Sequence, residues 1–154
     1  MSALTTWARH VDALIETDGV YLFGSLINRD GVQFLDDSDV DLVVLFPKRS
    51  ISATNRSRWL ESLHTNKADL EAELSSLLRR KRNKPICSLV VATTTEVWAD
   101  LHKEGAHAFF SSKYFLNLLT DNKVFGLPDA GTRHVVEPLA EQCIRFVQKK
   151  GISI

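Results

Sequence analysis

Two short stretches decide how this chain reads: Phe23-Gly24-Ser25, and, after a gap of 13 residues, Asp39-Val40-Asp41 running into Leu42-Val43-Val44-Leu45-Phe46. In the first, an apolar run ends in two small residues. In the second, two carboxylates spaced i, i+2 head another apolar run. Alternation along a strand sends i and i+2 to the same face. Asp39 and Asp41 should therefore point together, with Cα atoms roughly 6.5–7 Å apart from strand rise. Two like charges ahead of an apolar run repel one another and resist desolvation. A divalent cation would offset both effects, so the pair is a candidate Mg2+ site.

Working outward, the flanking sequence supplies the elements that would carry these residues. Leu4, Trp7, Ala8, Val11, Leu14 and Ile15 recur at helical spacing, and Gly19 follows as a stop. Val20–Phe23 has the length of a buried strand, and Gly24-Ser25 opens a short helical turn through Ile27. Asn28-Arg29-Asp30-Gly31 reads as a turn. A second strand is expected from about Asp39 to Phe46, stopped by Pro47, with a polar loop from Lys48 to Ser57. Trp59, Leu60, Leu63, Leu70, Leu74, Leu77 and Leu78 mark one long helix or two short ones, the open join being His64-Thr65-Asn66. Pro85 opens a third strand, Ile86 to about Thr93, and Thr94 or Thr95 caps a helix to Lys103. Helices over Phe109–Leu119 and Thr132–Lys149, with an extended piece at Lys123–Phe125 between them, complete the pattern. The alternation argues an α/β (α+β) fold, a small mixed β-sheet covered by helices, in a single domain over residues 1–154.

A strand passing through Gly-Ser into a helical turn offers backbone N–H groups and a hydroxyl to an anion, and Gly24 permits close approach. Facing it, Asp39 and Asp41 would hold cations that bridge phosphate oxygens, the arrangement used in phosphoryl and nucleotidyl transfer. Gly24-Ser25, the intervening loop and Asp39-Val40-Asp41 resemble the pattern of the nucleotidyltransferase superfamily typified by DNA polymerase beta. The resemblance covers about residues 20–46. It implies a polymerase-beta-like nucleotidyltransferase fold. Gly24 and Ser25 would then contact the triphosphate of an NTP, and Asp39 and Asp41 would be the catalytic carboxylates binding Mg2+ (or Mn2+). The implied reaction moves a nucleoside monophosphate to a hydroxyl acceptor. Active members add a third carboxylate from a neighbouring strand; here Pro85–Thr93 holds no Asp or Glu, and length and alternation put Ser88 at that position. The alternative is therefore a catalytically inactive nucleotide-binding sensor or interaction module. Minimal members of the superfamily work beside a helical protein partner, as in toxin–antitoxin or defence pairs, and such a partner is expected to supply the second domain.

Composition constrains the rest. The chain is 44% hydrophobic, enough for a sizeable core, and Lys+Arg and Asp+Glu balance at 19 each. Net charge does not indicate a nucleic-acid partner, although it does not exclude one, and points to no membrane surface. No apolar run reaches the ~18–20 residues that span a bilayer, and no signal core opens the sequence. A cytoplasmic protein is expected. Cys87 and Cys143 lie far apart and read as buried reduced thiols. Asp36 and Asp37 read as loop charges, Arg79–Lys84 as the cationic end of a helix, and the five histidines as surface or packing residues. Trp59, Trp98, Phe109-Phe110 and Tyr114-Phe115 read as core.

Overall fold

The fold is a computed structural model that describes residues 2–28, 38–47, 52–79, 85–102, 106–131 and 145. In chain order the elements are α1 (Ala3–Ile15), β1 (Gly19–Phe23), α2 (Ser25–Asn28), β2 (Val40–Leu45), α3 (Ala53–Leu77), β3 (Cys87–Ala92), α4 (Thr94–Ala99), β4 (Leu101–His102), β5 (Ala106–His107), β6 (Tyr114–Asn117) and β7 (Asn122–Phe125). Five strands form one sheet in the order β3-β2-β1-β6-β7, and β4 pairs with β5. β2 and β3 are parallel, joined by the α3 crossover, and the remaining pairs of the large sheet are antiparallel. The mixed sheet expected from the sequence is present.

Alternation divides the core between the two sheet faces. Val20 and Leu22 of β1, Val40, Leu42 and Val44 of β2, and Cys87 of β3 pack with Trp7, Ala8 and Val11 of α1 and Trp59, Leu63, Leu70 and Leu74 of α3. Tyr21, Phe23, Val43, Val90 and Ala92 face the other way, onto Val97 of α4 and onto Phe110, Phe115 and Leu127. β1 is buried along its whole length because it is central and covered on both faces. α1 and α3 are tied by the Trp7 indole, which donates to the Asn66 carbonyl at 3.1 Å.

Several boundaries differ from the sequence expectation, each for a local reason. α1 ends on Glu16 in the left-handed region (φ 54°), so Gly19 belongs to β1 rather than stopping the helix. Ser52 accepts from the Asn55 N–H and starts α3 at Ala53, which makes Ala53–Ser57 helical rather than loop. α3 is one helix of 25 residues. Across the doubted join, Thr65 and Asn66 spend their side chains on the Glu61 and Ser62 carbonyls at 3.2 and 2.8 Å, leaving the ladder intact. Thr93, not Thr94 or Thr95, caps α4 through a reciprocal capping box with Glu96, and Asp100 (φ 54°) ends it well short of Lys103. Phe109–Leu119 is not a helix: turns lead into β6, and a tight turn built on Asn117 leads on to β7. The expected helix at Thr132–Lys149, the Asn28–Gly31 turn beyond Asn28, Cys143, Asp36, Asp37 and the basic residues Arg80–Lys84 lie outside the described residues.

Candidate nucleotide and metal site

β1 and β2 bring the two decisive stretches together by register. Phe23 pairs with Asp41, so the strand leading into Gly24-Ser25 lies against the strand that carries the carboxylate. Gly24 adopts φ +79°, and a Cβ built there would overlap the Asp41 carboxylate, falling 3.0 Å from its Cγ. The glycine is thus required twice, by its backbone and by the space Asp41 occupies. Its carbonyl accepts from Ile27 and Asn28 N–H groups at 3.2 and 3.1 Å and so starts α2. Ser25 opens that turn, where first-turn N–H groups have no acceptor within the helix.

Asp41 continues the stripe of Val43 and Leu45 on the face covered by α4. It is half-buried, whereas Asp39, just before β2, is exposed. Burial first, and then the nearby Asp39 charge, raise the Asp41 carboxyl above its ordinary range. Both effects are what a bound cation would relieve. The parallel neighbour β3 sets Ser88 in register with Asp41, the position inferred from length and alternation. Among the described residues no group of three or more His, Cys, Asp or Glu side chains is placed to hold a metal. Two carboxylates nevertheless suit Mg2+, which keeps several waters and takes phosphate oxygens as its remaining ligands.

Other groups read from the sequence fall away from this centre. Cys87 is free and buried on the α1/α3 face, and burial, with Glu71 nearby, pushes its thiol up to about 12. Trp59 is core, but Trp98 is only half-buried and, with Asp18, Tyr21, Leu45, Thr94, Val97, Pro128 and Asp129, lines a cavity of about 260 Å³. That cavity sits where Gly19 pairs with Leu45, at the opposite strand ends from Phe23 and Asp41. Phe110 and Phe115 are buried, whereas Tyr114 is exposed.

One group near the centre was missed from sequence. Phe109 packs edge-on against Phe23 at 5.5 Å between centroids, His102 lies over it at 4.3 Å, and the Lys113 ammonium sits 4.0 Å from its centroid. The turn is fixed by buried Asp100, which accepts from the Phe110 and Ser111 N–H groups at 2.6 and 3.0 Å and from the Ser111 hydroxyl. A helical reading of Phe109–Leu119 hid this. The aromatic and apolar run Tyr114-Phe115-Leu116 before an Asn-led turn is the signal for a hairpin.

A mixed sheet that presents Gly-Ser beside Asp41 of β2, with Asp39 just ahead of the strand, agrees with the class that the family match defines, a nucleotidyltransferase of the DNA polymerase beta type. The family described as NTase-conflict, Pol beta superfamily nucleotidyltransferase in conflict systems, matches residues 3–151, and the chain belongs to it. No curated protein matches significantly. Among solved structures, the chain is similar to a toxin–antitoxin crystallised with AMP-PNP, at 14% identity and a TM-score of 0.35, covering 96% of this chain and 92% of that one. It is also similar to a mutant of the toxin–antitoxin MntA-HpeT, at 12% identity and a TM-score of 0.31, with the same coverage. At those scores the structural likenesses carry no argument, and membership rests on the family match.

Proposed function

We propose that this protein binds an NTP with Mg2+ between Gly24-Ser25 and Asp39/Asp41 and transfers its nucleoside monophosphate to a hydroxyl acceptor. The observation that carries this reading is the Phe23–Asp41 pairing, which sets the Gly24 turn directly against the Asp41 carboxylate. In the proposed reaction the acceptor hydroxyl gives up its proton to solvent as its oxygen bonds to the α-phosphorus, the bond from that phosphorus to the bridging oxygen breaks, and pyrophosphate leaves. Ser25 donates its hydroxyl and backbone N–H to phosphate oxygens, and Gly24 lets the chain approach them. Asp39 and Asp41 would hold the cation, which when bound would neutralise phosphate charge and make the attacking hydroxyl more acidic. Most of the catalysis asked of such a site is positioning and charge neutralisation, which few protein groups can supply.

Residues 1–154 would act as one cytoplasmic domain, beside a helical protein partner in a toxin–antitoxin or defence pair; membership of a family from conflict systems supports the pairing. A second reading, a nucleotide sensor without turnover, is favoured by Ser88 standing in register with Asp41 where active relatives are expected to carry a third carboxylate. Pyrophosphate release from each NTP, with and without the partner, separates the two. Transfer predicts Mg2+-dependent release that Asp39→Ala abolishes while the circular dichroism spectrum stays unchanged. Saturable NTP binding with no release under any acceptor condition selects the sensor. Undiminished release by Asp39→Ala removes the assignment of the carboxylates.

A further inference from the structure

Lys113 enters β6 from the turn that Asp100 fixes, and three observations bring it to the nucleotide site. The first is register. β6 runs antiparallel to β1 with Tyr21 opposite Asn117 and Leu22 opposite Leu116, so the next pair sets Phe115 beside Phe23, and Lys113, two residues before Phe115, lies toward the end of the sheet where β1 gives way to Gly24-Ser25. The Phe23 and Phe115 rings, 5.8 Å apart, agree with that count. The second is face. The β6–β7 ladder extends to position 113, whose carbonyl accepts from the Gly126 N–H at 2.8 Å, and alternation then gives Lys113 the face of Phe115. Phe115 shares its face with Phe23 and Val43, and Asp41 continues the Val43 stripe. The third is the side chain itself. Its ammonium lies over Phe109, whose ring packs on Phe23, the cross-strand partner of Asp41. A ring face holds an ammonium in place and leaves its full charge for a ligand.

We propose that Lys113 is a phosphate-binding residue of this site, its ammonium meeting the polyphosphate of the bound nucleotide while Phe109 positions it. The inference rests on the reading of Gly24, Ser25, Asp39 and Asp41 as the nucleotide site. Lys123 provides an internal comparison. It pairs with Leu116, on the opposite sheet face, and its ammonium donates to the Ile27 carbonyl at 3.2 Å.

Calorimetric titration of the intact chain with Mg·ATP and with magnesium and inorganic triphosphate tests the assignment. Lys113→Met, which keeps the apolar stem, should weaken both ligands roughly ten- to a hundredfold, the worth of a charge-assisted hydrogen bond. Lys113→Arg should restore most of that affinity. Unaltered melting of the ligand-free Lys113→Met chain establishes that the fold is not the cause. Several results overturn the proposal: parental affinity in Lys113→Met, an Arg variant as weak as the Met variant, or a loss confined to ATP and absent with triphosphate. If Asp39→Ala loses binding while Lys113→Met keeps it, the site stands and the lysine falls. If the parent chain binds neither ligand, both readings fall together.

Discussion

A methyl group at position 24 would enter the space of the Asp41 carboxylate, at a backbone φ of +79° that side chains rarely adopt. Gly24→Ala should therefore act on two properties at once. The left-handed conformation is predicted to lower stability by about 1–3 kcal/mol, read from the urea midpoint. Displacement of the carboxylate should weaken Mg·ATP binding in the population that stays folded, read by titration below the unfolding transition. A variant as stable and as tight as the parent would mean that the close approach of Gly24 and Asp41 has no role. Asp41 and Cys87 show why carboxylates and thiols on neighbouring strands differ in consequence. Cys87 sits on the face closed by α1 and α3 and is held protonated, whereas Asp41 stays half-open, where burial and Asp39 set up an unfavourable charge that a cation can relieve.

The elements are held in place by side chains that bridge them, and Glu71 is the plainest case. From α3 it accepts the Lys67 ammonium at 2.7 Å and the Cys87 N–H at 3.3 Å, which fastens the helix to the start of β3. Burial works to raise its carboxyl, but those hydrogen bonds and the Lys67 charge outweigh it and hold the group below its ordinary value. A depressed folded value adds stability above the unfolded value, and that stability is lost as pH falls through the folded one. Glu71→Gln should thus be less stable at neutral pH and show a shallower loss on acidification, measured as urea midpoints between about pH 2 and 7. An unchanged acid limb would assign the depression to no stabilising contact. Much of this level was legible in the sequence. α1, β1, β2 and β3 announce themselves by periodicity or by short apolar runs; length and alternation single out Ser88 for the third-carboxylate position, and the register that sets it opposite Asp41 comes from the sheet. What stayed hidden was decided at a distance. Phe109, Phe110, Phe115 and Leu118 are spaced as readily for a helix as for a turn and a strand. The choice is made by the Asp100 carboxylate capturing two backbone N–H groups of a segment ten residues downstream. A helix over Phe109–Leu119 would not carry Lys113 into the sheet beside Phe115; the turn and strand do.

At the scale of the molecule, the same sheet separates structure from chemistry. One face is sealed by α1 and α3 over Val20, Leu22, Leu42 and Val44; the other carries the aromatic cluster up to the edge where Asp41, Ser88 and the Gly24 turn meet. No helix among the described residues is long and apolar enough to cross a membrane. These strand ends form the proposed magnesium-dependent nucleotide site. Calorimetric titration of the intact chain with a non-hydrolysable NTP, in magnesium and in EDTA, tests it most directly, with Asp41→Asn as the matched variant. Saturable binding that requires magnesium is expected of the parent chain and should disappear in Asp41→Asn, although that variant melts cooperatively. Equal affinity in Asp41→Asn, or no binding of any NTP by the parent chain, would contradict it.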